Sequence, residues 1–324
     1  MKIFYRPELS FDRNPGTVIS LWKPRAVMEA LAERGRAPTS LVSADFEPVR
    51  RDDAELVHSK ELVDRVWRAE ASGFGVATPA IRDQVLWANG AMVAAVAHAL
   101  TDPIGLACAP VSGFHHAGWN FSGGYCTLNG LMISIAAAVE RGMLDRDAYV
   151  LIIDGDAHYG NGTDDIINVT TQRCHAGRQP PRGLVYNWTR GDITSPEDHL
   201  FSWSPTTWQT KLDAVLRLRP WDLILYQAGA DAHASDPYGG GCLDDGDWKV
   251  RDAMVFYYAT EHRIPLAFCL AGGYNGDATV NLHVRTIGRA LQASAQNHAS
   301  EYARRLLHRD DTPGPAPSLP AQST

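Results

Sequence analysis

Residues 149–162 read Tyr-Val-Leu-Ile-Ile-Asp-Gly-Asp-Ala-His-Tyr-Gly-Asn-Gly. An apolar run at 149–153 gives way at once to carboxylates, glycines and a histidine. The run is too short for a helix and has no polar alternation, so it predicts a strand buried on both faces. Such strands belong to parallel sheets covered by helices, and the residues that follow them collect at the carboxyl edge, where ligands bind.

The same signature recurs at 104–109, 184–186, 223–226 and 265–270, each run followed within a few residues by Gly or Asp. Between these runs, 128–141, 206–218, 247–262 and 280–293 carry apolar residues at helical spacing, with Gly142 a helix stop and Ser204-Pro205 a helix start. Toward the N-terminus, 23–34, 61–69 and 88–100 predict helices, and Ser-Gly-Phe-Gly at 72–75 predicts a loop. Strand and helix in alternation predict an α/β protein. With no internal repeat and no dividing linker, one domain is expected over 1–308, followed by a proline-containing disordered tail at 309–324.

Composition narrows the function. The 324 residues hold 30 Lys+Arg against 37 Asp+Glu, a net charge of −7 that offers no basic field for phosphates and argues against nucleic-acid binding. No apolar stretch is long enough for a bilayer span and the start has no apolar signal core, so a cytoplasmic protein without a membrane partner is expected. The five cysteines form no Cys-x-x-Cys pair and read as small buried hydrophobes. Only five basic residues are lysines, Lys23 among them, a bias assigned to overall composition.

The strand ends carry the chemistry. Asp156 and His158, two apart on an extended segment, face the same side and can meet one ion. Asp231, at the end of another strand, adds a third donor. Two carboxylates and one imidazole with an open position are a catalytic metal arrangement, whereas a structural zinc closes its shell with a fourth protein ligand. Read singly, each Asp-x-His could equally cap the helix that follows. His115 and His116 sit in a glycine-flanked turn and are suited to general base and acid beside a metal, with Asp154 to orient a ring nitrogen. Tyr274, between Gly273 and Asn275, offers a hydroxyl to a developing oxyanion.

Phe-His-His-Ala-Gly at 114–118, Gly-Gly-Tyr-Cys-Thr-Leu-Asn at 123–129 and Asp-Gly-Asp-Ala-His-Tyr-Gly-Asn-Gly-Thr at 154–163 begin an ordered series. Gly-Ala-Asp-Ala-His-Ala-Ser-Asp-Pro at 229–237 and Ala-Gly-Gly-Tyr-Asn at 271–275 complete it. Together they resemble the motifs of zinc-dependent histone deacetylases and their bacterial relatives. The resemblance implies the three-layer arginase/deacetylase fold with a central, mostly parallel sheet of about eight strands. It implies one zinc ion per chain on Asp156, His158 and Asp231, and allows a structural K+ or Na+ beside Asp154.

It further implies that His115 and His116 are the tandem histidines, that Asp154 orients the first, and that Tyr274 is the transition-state tyrosine. Asn161 stands where some members have a second orienting Asp, which leaves His116 less basic. Gly124 and Tyr125 match the channel wall, with Tyr125 where Phe is usual. The implied reaction is metal-assisted amide hydrolysis: zinc and Tyr274 polarise the acyl carbonyl, His116 takes a proton from water, and that imidazole or its neighbour protonates the leaving amine. The implied substrate is an acylated lysine peptide or a small acetylated amine such as a polyamine.

Departures are Tyr159 in place of a second His, Gly130 in place of a polar residue, and the absence of a His-Pro-Glu-Arg segment near 13–25. These leave the rim, and with it protein versus small-molecule substrate and acyl preference, open, and the oligomeric state is unspecified. Two alternatives stand beside this reading. A binuclear manganese ureohydrolase of the arginase type would need further carboxylates where Tyr159-Gly160 and Ala232-His233 stand. A catalytically weak acyl-amine binding protein would retain the pocket alone, although donors, His pair and Tyr274 all occur together.

Overall fold

The computed structural model describes residues 1–35, 39–102, 105–175, 185–189, 207–239 and 243–309. Its strands are β1 (Lys2–Phe4), β2 (Val42–Ser43), β3 (Leu106–Ala109), β4 (Val150–Asp154), β5 (Val185–Trp188), β6 (Leu223–Gln227) and β7 (Leu266–Cys269). The helices are α1 (Ile19–Glu33), α2 (Arg51–Glu55), α3 (Lys60–Trp67), α4 (Pro79–Thr101), α5 (Gly130–Glu140), α6 (Asn161–His175), α7 (Trp208–Leu216), α8 (Asp245–Glu261) and α9 (Gly276–Arg309). Among the described residues the sheet has seven strands, in the order β2-β1-β3-β7-β6-β4-β5 and parallel at every pairing. The α/β expectation therefore holds.

Alternation along each strand sends residues to two separate cores. Leu106, Cys108, Leu151, Ile153, Ile224, Tyr226, Leu266 and Phe268 join the apolar faces of α1, α7, α8 and α9. Ala107, Ala109, Val150, Ile152, Leu223, Leu225, Ala267 and Cys269 join those of α3, α4 and α5. A sheet between two helical layers results. On the second face small strand residues meet a helix with buried Ala88, Ala91, Ala95 and Ala99, which lets α4 lie close to the sheet.

Each predicted strand after 104 and each predicted helix is present, most with ends shifted by a few residues, but α4 starts at Pro79, well before the expected 88, and α9 runs to Arg309, well past the expected 293. Gly142 closes α5 in the left-handed region at φ 66°. β1, β2, α2 and α6 were not anticipated. Cys108, Cys126 and Cys269 are free and buried, as small hydrophobes are. The helix start at Ser204-Pro205 lies outside the described residues, as do residues 310–324 of the expected tail, while Arg309 belongs to α9. Among the described residues no helix is long and apolar enough to cross a membrane.

Parallel pairing puts every carboxyl end on one edge, and β3, β7, β6 and β4 are consecutive there. The loops that follow these four strands therefore meet. Phe268 anchors the centre of that group, fully buried and edge-on to Phe256 with ring centroids 4.9 Å apart. Phe268→Ala is expected to lower the unfolding free energy by roughly 3–5 kcal/mol, read from the denaturant midpoint.

Candidate active site

The loop after β4 turns back on itself. The amide of Asp156 donates to Asp154 Oδ1 at 3.2 Å and that of His158 donates to Asp156 Oδ1 at 3.0 Å. This keeps the Asp156 carboxylate and the His158 ring on one side, as the spacing predicts. His158 Nδ1 lies 3.0 Å from Asp156 Oδ1 and 3.0 Å from Asp231 Oδ2. Donor atoms of the three residues all fall within 4.8 Å of one another, with both carboxylates buried and the imidazole half-exposed. That donor set, hard oxygens and one nitrogen with an open side, fits a single divalent ion.

Backbone amides brace the two carboxylates from behind. Ala157 N–H donates to Asp231 Oδ1 at 3.0 Å and Gly272 N–H to Asp156 Oδ2 at 2.8 Å. Gly272 must be glycine, because a Cβ there would collide with the Oδ2 atoms of both Asp231 and Asp156. Burial and the neighbouring Asp156 push the Asp231 carboxyl up to about 7. Burial works in the same direction on Asp156, yet the His115 and His158 imidazoles outweigh it and hold that group well below the usual carboxylate range. Hydrogen bonding to the two carboxylates raises His158 to about 10.

The tandem histidines differ in their surroundings. His115 is buried, with Nδ1 2.7 Å from Asp154 Oδ2 and Nε2 3.8 Å from Asp156 Oδ1. Burial pulls its imidazole toward neutrality, but Asp154 and Asp156 prevail and hold it at about 9. His116 packs against it, ring centroids 4.0 Å apart, with Nδ1 2.6 Å from Asn161 Oδ1. Burial and the adjacent His115 lower the pKa of His116. The pair thus divides into a more basic and a less basic imidazole. Asp154 is itself fixed by Gln227 Nε2 at 3.0 Å and Thr189 Oγ1 at 3.3 Å.

Tyr274 closes the ring of side chains. Its amide donates to Asp236 Oδ2 at 2.6 Å, and its ring centroid stands 6.3 Å from that of His158. Burial raises the phenol pKa, so the hydroxyl stays a donor at neutral pH. Tyr125, preceded by Gly124 and with both residues at positive φ, presents an exposed ring 6.0 Å from that of Tyr274. Tyr238 meets Tyr274 edge-on at 5.5 Å between ring centroids, and Phe74 lies 5.9 Å from Tyr125. These rings form an aromatic collar around the mouth. His233 turns away from the triad, its Nδ1 2.9 Å from Ser235 Oγ.

Three contributors escaped the sequence reading. Lys23, one of five lysines, is wholly buried on α1 and donates to the Ala271 carbonyl, beneath the turn that carries Tyr274. Burial lowers it to about 8, against the pull of Asp231 and Asp156. A lysine flanked by Leu21, Trp22 and Val27 on an apolar helix face was the available signal. Gln227 ends a strand and joins Asp154 to the amide of Phe114, 3.1 Å away. His58 is a core residue that ties two site loops: Nδ1 lies 2.8 Å from the Gly118 carbonyl and Nε2 accepts from the Asn129 amide at 2.9 Å.

The family model of the histone deacetylase domain matches residues 19–176 and 208–288. The protein "Histone deacetylase 10, chloroplastic" of Oryza sativa subsp. japonica is 28% identical over 280 residues, 76% of this chain and 62% of its own length. "Acetylpolyamine amidohydrolase 1" of Pseudomonas aeruginosa is 30% identical over 180 residues, 51% of this chain and 49% of its own. The chain thus spans about half to three-fifths of these relatives. The crystal structure of the HDA15 HD domain superposes with a TM-score of 0.68 at 18% identity, covering 91% of this chain and 90% of that one, and shares the fold.

His58 sets a pH limit on the site. Its Nε2 accepts a hydrogen bond, so the fold requires the neutral ring, and burial lowers its pKa from 6.5 to about 4. With the folded value depressed below the unfolded one, the contribution is complete above the unfolded pKa and is lost as pH falls toward the folded one. Between about pH 7 and pH 5 the unfolding free energy should drop by about 2 kcal/mol from this residue. Denaturant titrations of wild type and His58→Gln at both pH values check this, the variant losing correspondingly less.

Proposed function

Because the chain belongs to the histone deacetylase domain family, we propose that it is a zinc-dependent amidohydrolase that removes an acyl group from acylated lysine or from a small acetylated amine such as a polyamine. The observation that carries this reading is the convergence of Asp156, His158 and Asp231 on one point beside the His115–His116 pair and Tyr274. Among the described residues this triad is the one group of three or more such donors close enough to share an ion, which favours one ion over the binuclear alternative.

A zinc ion on Asp156, His158 and Asp231 would supply Lewis-acid polarisation of the acyl carbonyl and a more acidic water. The remaining steps fall to the protein's own groups. Asn161 Oδ1 accepts from His116 Nδ1–H and so leaves Nε2 with a free lone pair, suited to take a proton from the attacking water. His115, protonated beside Asp154, stabilises negative charge and can pass a proton to the departing amine, a role His116 shares after the first transfer. Tyr274, held in its turn by Asp236, donates its hydroxyl to the carbonyl oxygen as charge develops there. Gly124 and Tyr125 wall the approach, and the collar of Tyr125, Tyr238 and Phe74 suits an aliphatic chain that ends in an amide.

Both relatives support acylated amines as the substrate class, since one is named a histone deacetylase and the other an acetylpolyamine amidohydrolase. The test is acetate release from acetyl-lysine peptides and acetylated polyamines by the zinc-loaded protein. Chelation should abolish turnover and one equivalent of zinc restore it. Tyr274→Phe should cut kcat by about 10²–10³ with little change in KM, and His116→Ala by about 10²–10⁴. A zinc-loaded wild type that releases nothing from any acylated amine would leave binding as the function.

A further inference from the structure

Behind the triad, on the side away from the collar, a charged network is sealed in the core. Arg251 of α8 is 1% exposed. Its Nη1 donates to the Gly229 carbonyl at 2.9 Å and to the Gly155 carbonyl at 3.2 Å. Nε and Nη2 donate to Asp252 Oδ1 at 3.1 and 3.0 Å, and the guanidinium lies 3.6 Å over the Trp248 ring. Asp252 is anchored in turn by the Tyr226 hydroxyl at 2.7 Å and Thr286 Oγ1 at 2.5 Å.

The two carbonyls belong to the two loops that carry the carboxylates. Gly155 immediately precedes Asp156, and Gly229 lies two residues before Asp231. The β4–β6 register ends at Asp154↔Gln227, and Gly155 N–H donates to the Gln227 carbonyl at 2.8 Å as the final rung. Past it the strands part into their loops, and one guanidinium nitrogen takes up both carbonyls where the backbone ladder stops. The loops are also in close contact there, because a Cβ on Gly229 would stand 2.6 Å from Asp156 Cα.

We propose that Arg251 is a positioning residue for the metal site, setting the separation of the Asp156 and Asp231 carboxylates and so the affinity and coordination geometry of the ion. This rests on the metal reading given above. The chemistry requires arginine. One nitrogen bridges two acceptors while the other two are pinned by Asp252 and the flat face by Trp248, so the fork cannot rotate; an ammonium has a single nitrogen and no such anchor. A buried ion pair gains little stability over a neutral pair of similar volume. What this pair supplies is direction.

The experiment uses the full chain as wild type, Arg251→Lys, and the double variant Arg251→Met with Asp252→Asn, which removes the charge pair while leaving an amide oxygen to accept from one of the Tyr226 and Thr286 hydroxyls and an NH2 to donate to the other. Zinc affinity is measured by competition with a chromogenic chelator, geometry by the visible spectrum of the Co2+-substituted protein, and stability by thermal unfolding without metal. Both variants should bind zinc about 10–100-fold more weakly and show altered Co2+ bands, with the double variant unfolding near the wild-type temperature. Wild-type affinity and spectrum in the double variant would overturn the proposal, as would failure of both variants to fold, which marks a purely structural role. A wild type that binds no zinc would instead overturn the metal reading itself and this inference with it.

Discussion

Two buried carboxylates, Asp156 and Asp231, share one small volume, and their mutual repulsion is the constraint around which this protein is organised. A like-charged pair out of water is costly unless opposite charge or hydrogen-bond donors surround it. The chain answers with amides of Ala157 and Gly272, with the imidazoles of His158 and His115, and with the ammonium of Lys23 one layer further out. Ala157 and His158 come from the loop after β4, His115 from the loop after β3, Gly272 from the loop after β7 and Lys23 from α1, and a parallel sheet, whose strand ends share an edge, brings these loops to one point. A divalent ion bound by this pair and His158 would complete the same balance.

Much of this was legible in the sequence. Continuous apolar runs of strand length located β3 through β7, because strands buried on both faces need no polar partner residues to blur the signal. The donor triad and the histidine pair were legible for a related reason: they lie within a few residues of strand ends, and position along the chain fixes position in the sheet. Asp154, the last residue of β4, was read as the group that orients a ring nitrogen of the pair, and it stands 2.7 Å from His115 Nδ1.

What was not legible depends on distance through space. β1 is three residues long and exists because β2 and β3 pair on either side of it. α6 begins at Asn161, inside a segment whose glycines and charged residues read as a site loop, so its first turn was hidden by the motif. Lys23 reaches the Ala271 carbonyl across 248 residues of chain, and Gln227 reaches Asp154 across 73. The apolar neighbours of Lys23 on α1 show that it is buried but not what it reaches, and nothing local distinguishes Gln227 from its neighbours. Their roles arise when elements already placed for apolar reasons, a helix for Lys23 and a strand for Gln227, carry a polar group under the site.

The order of strands has a consequence for synthesis. Among the described strands β7 is the last in sequence, yet it lies between β3 and β6 in the middle of the sheet. Without it, the pairings that remain divide the strands into two groups, β2-β1-β3 and β6-β4-β5, with no pairing between them. The donors that follow β4 and β6 belong to one group, and the histidine pair that follows β3 belongs to the other. Nascent chains interrupted before about residue 270 therefore carry the site in two pieces, joined by no pairing of their own.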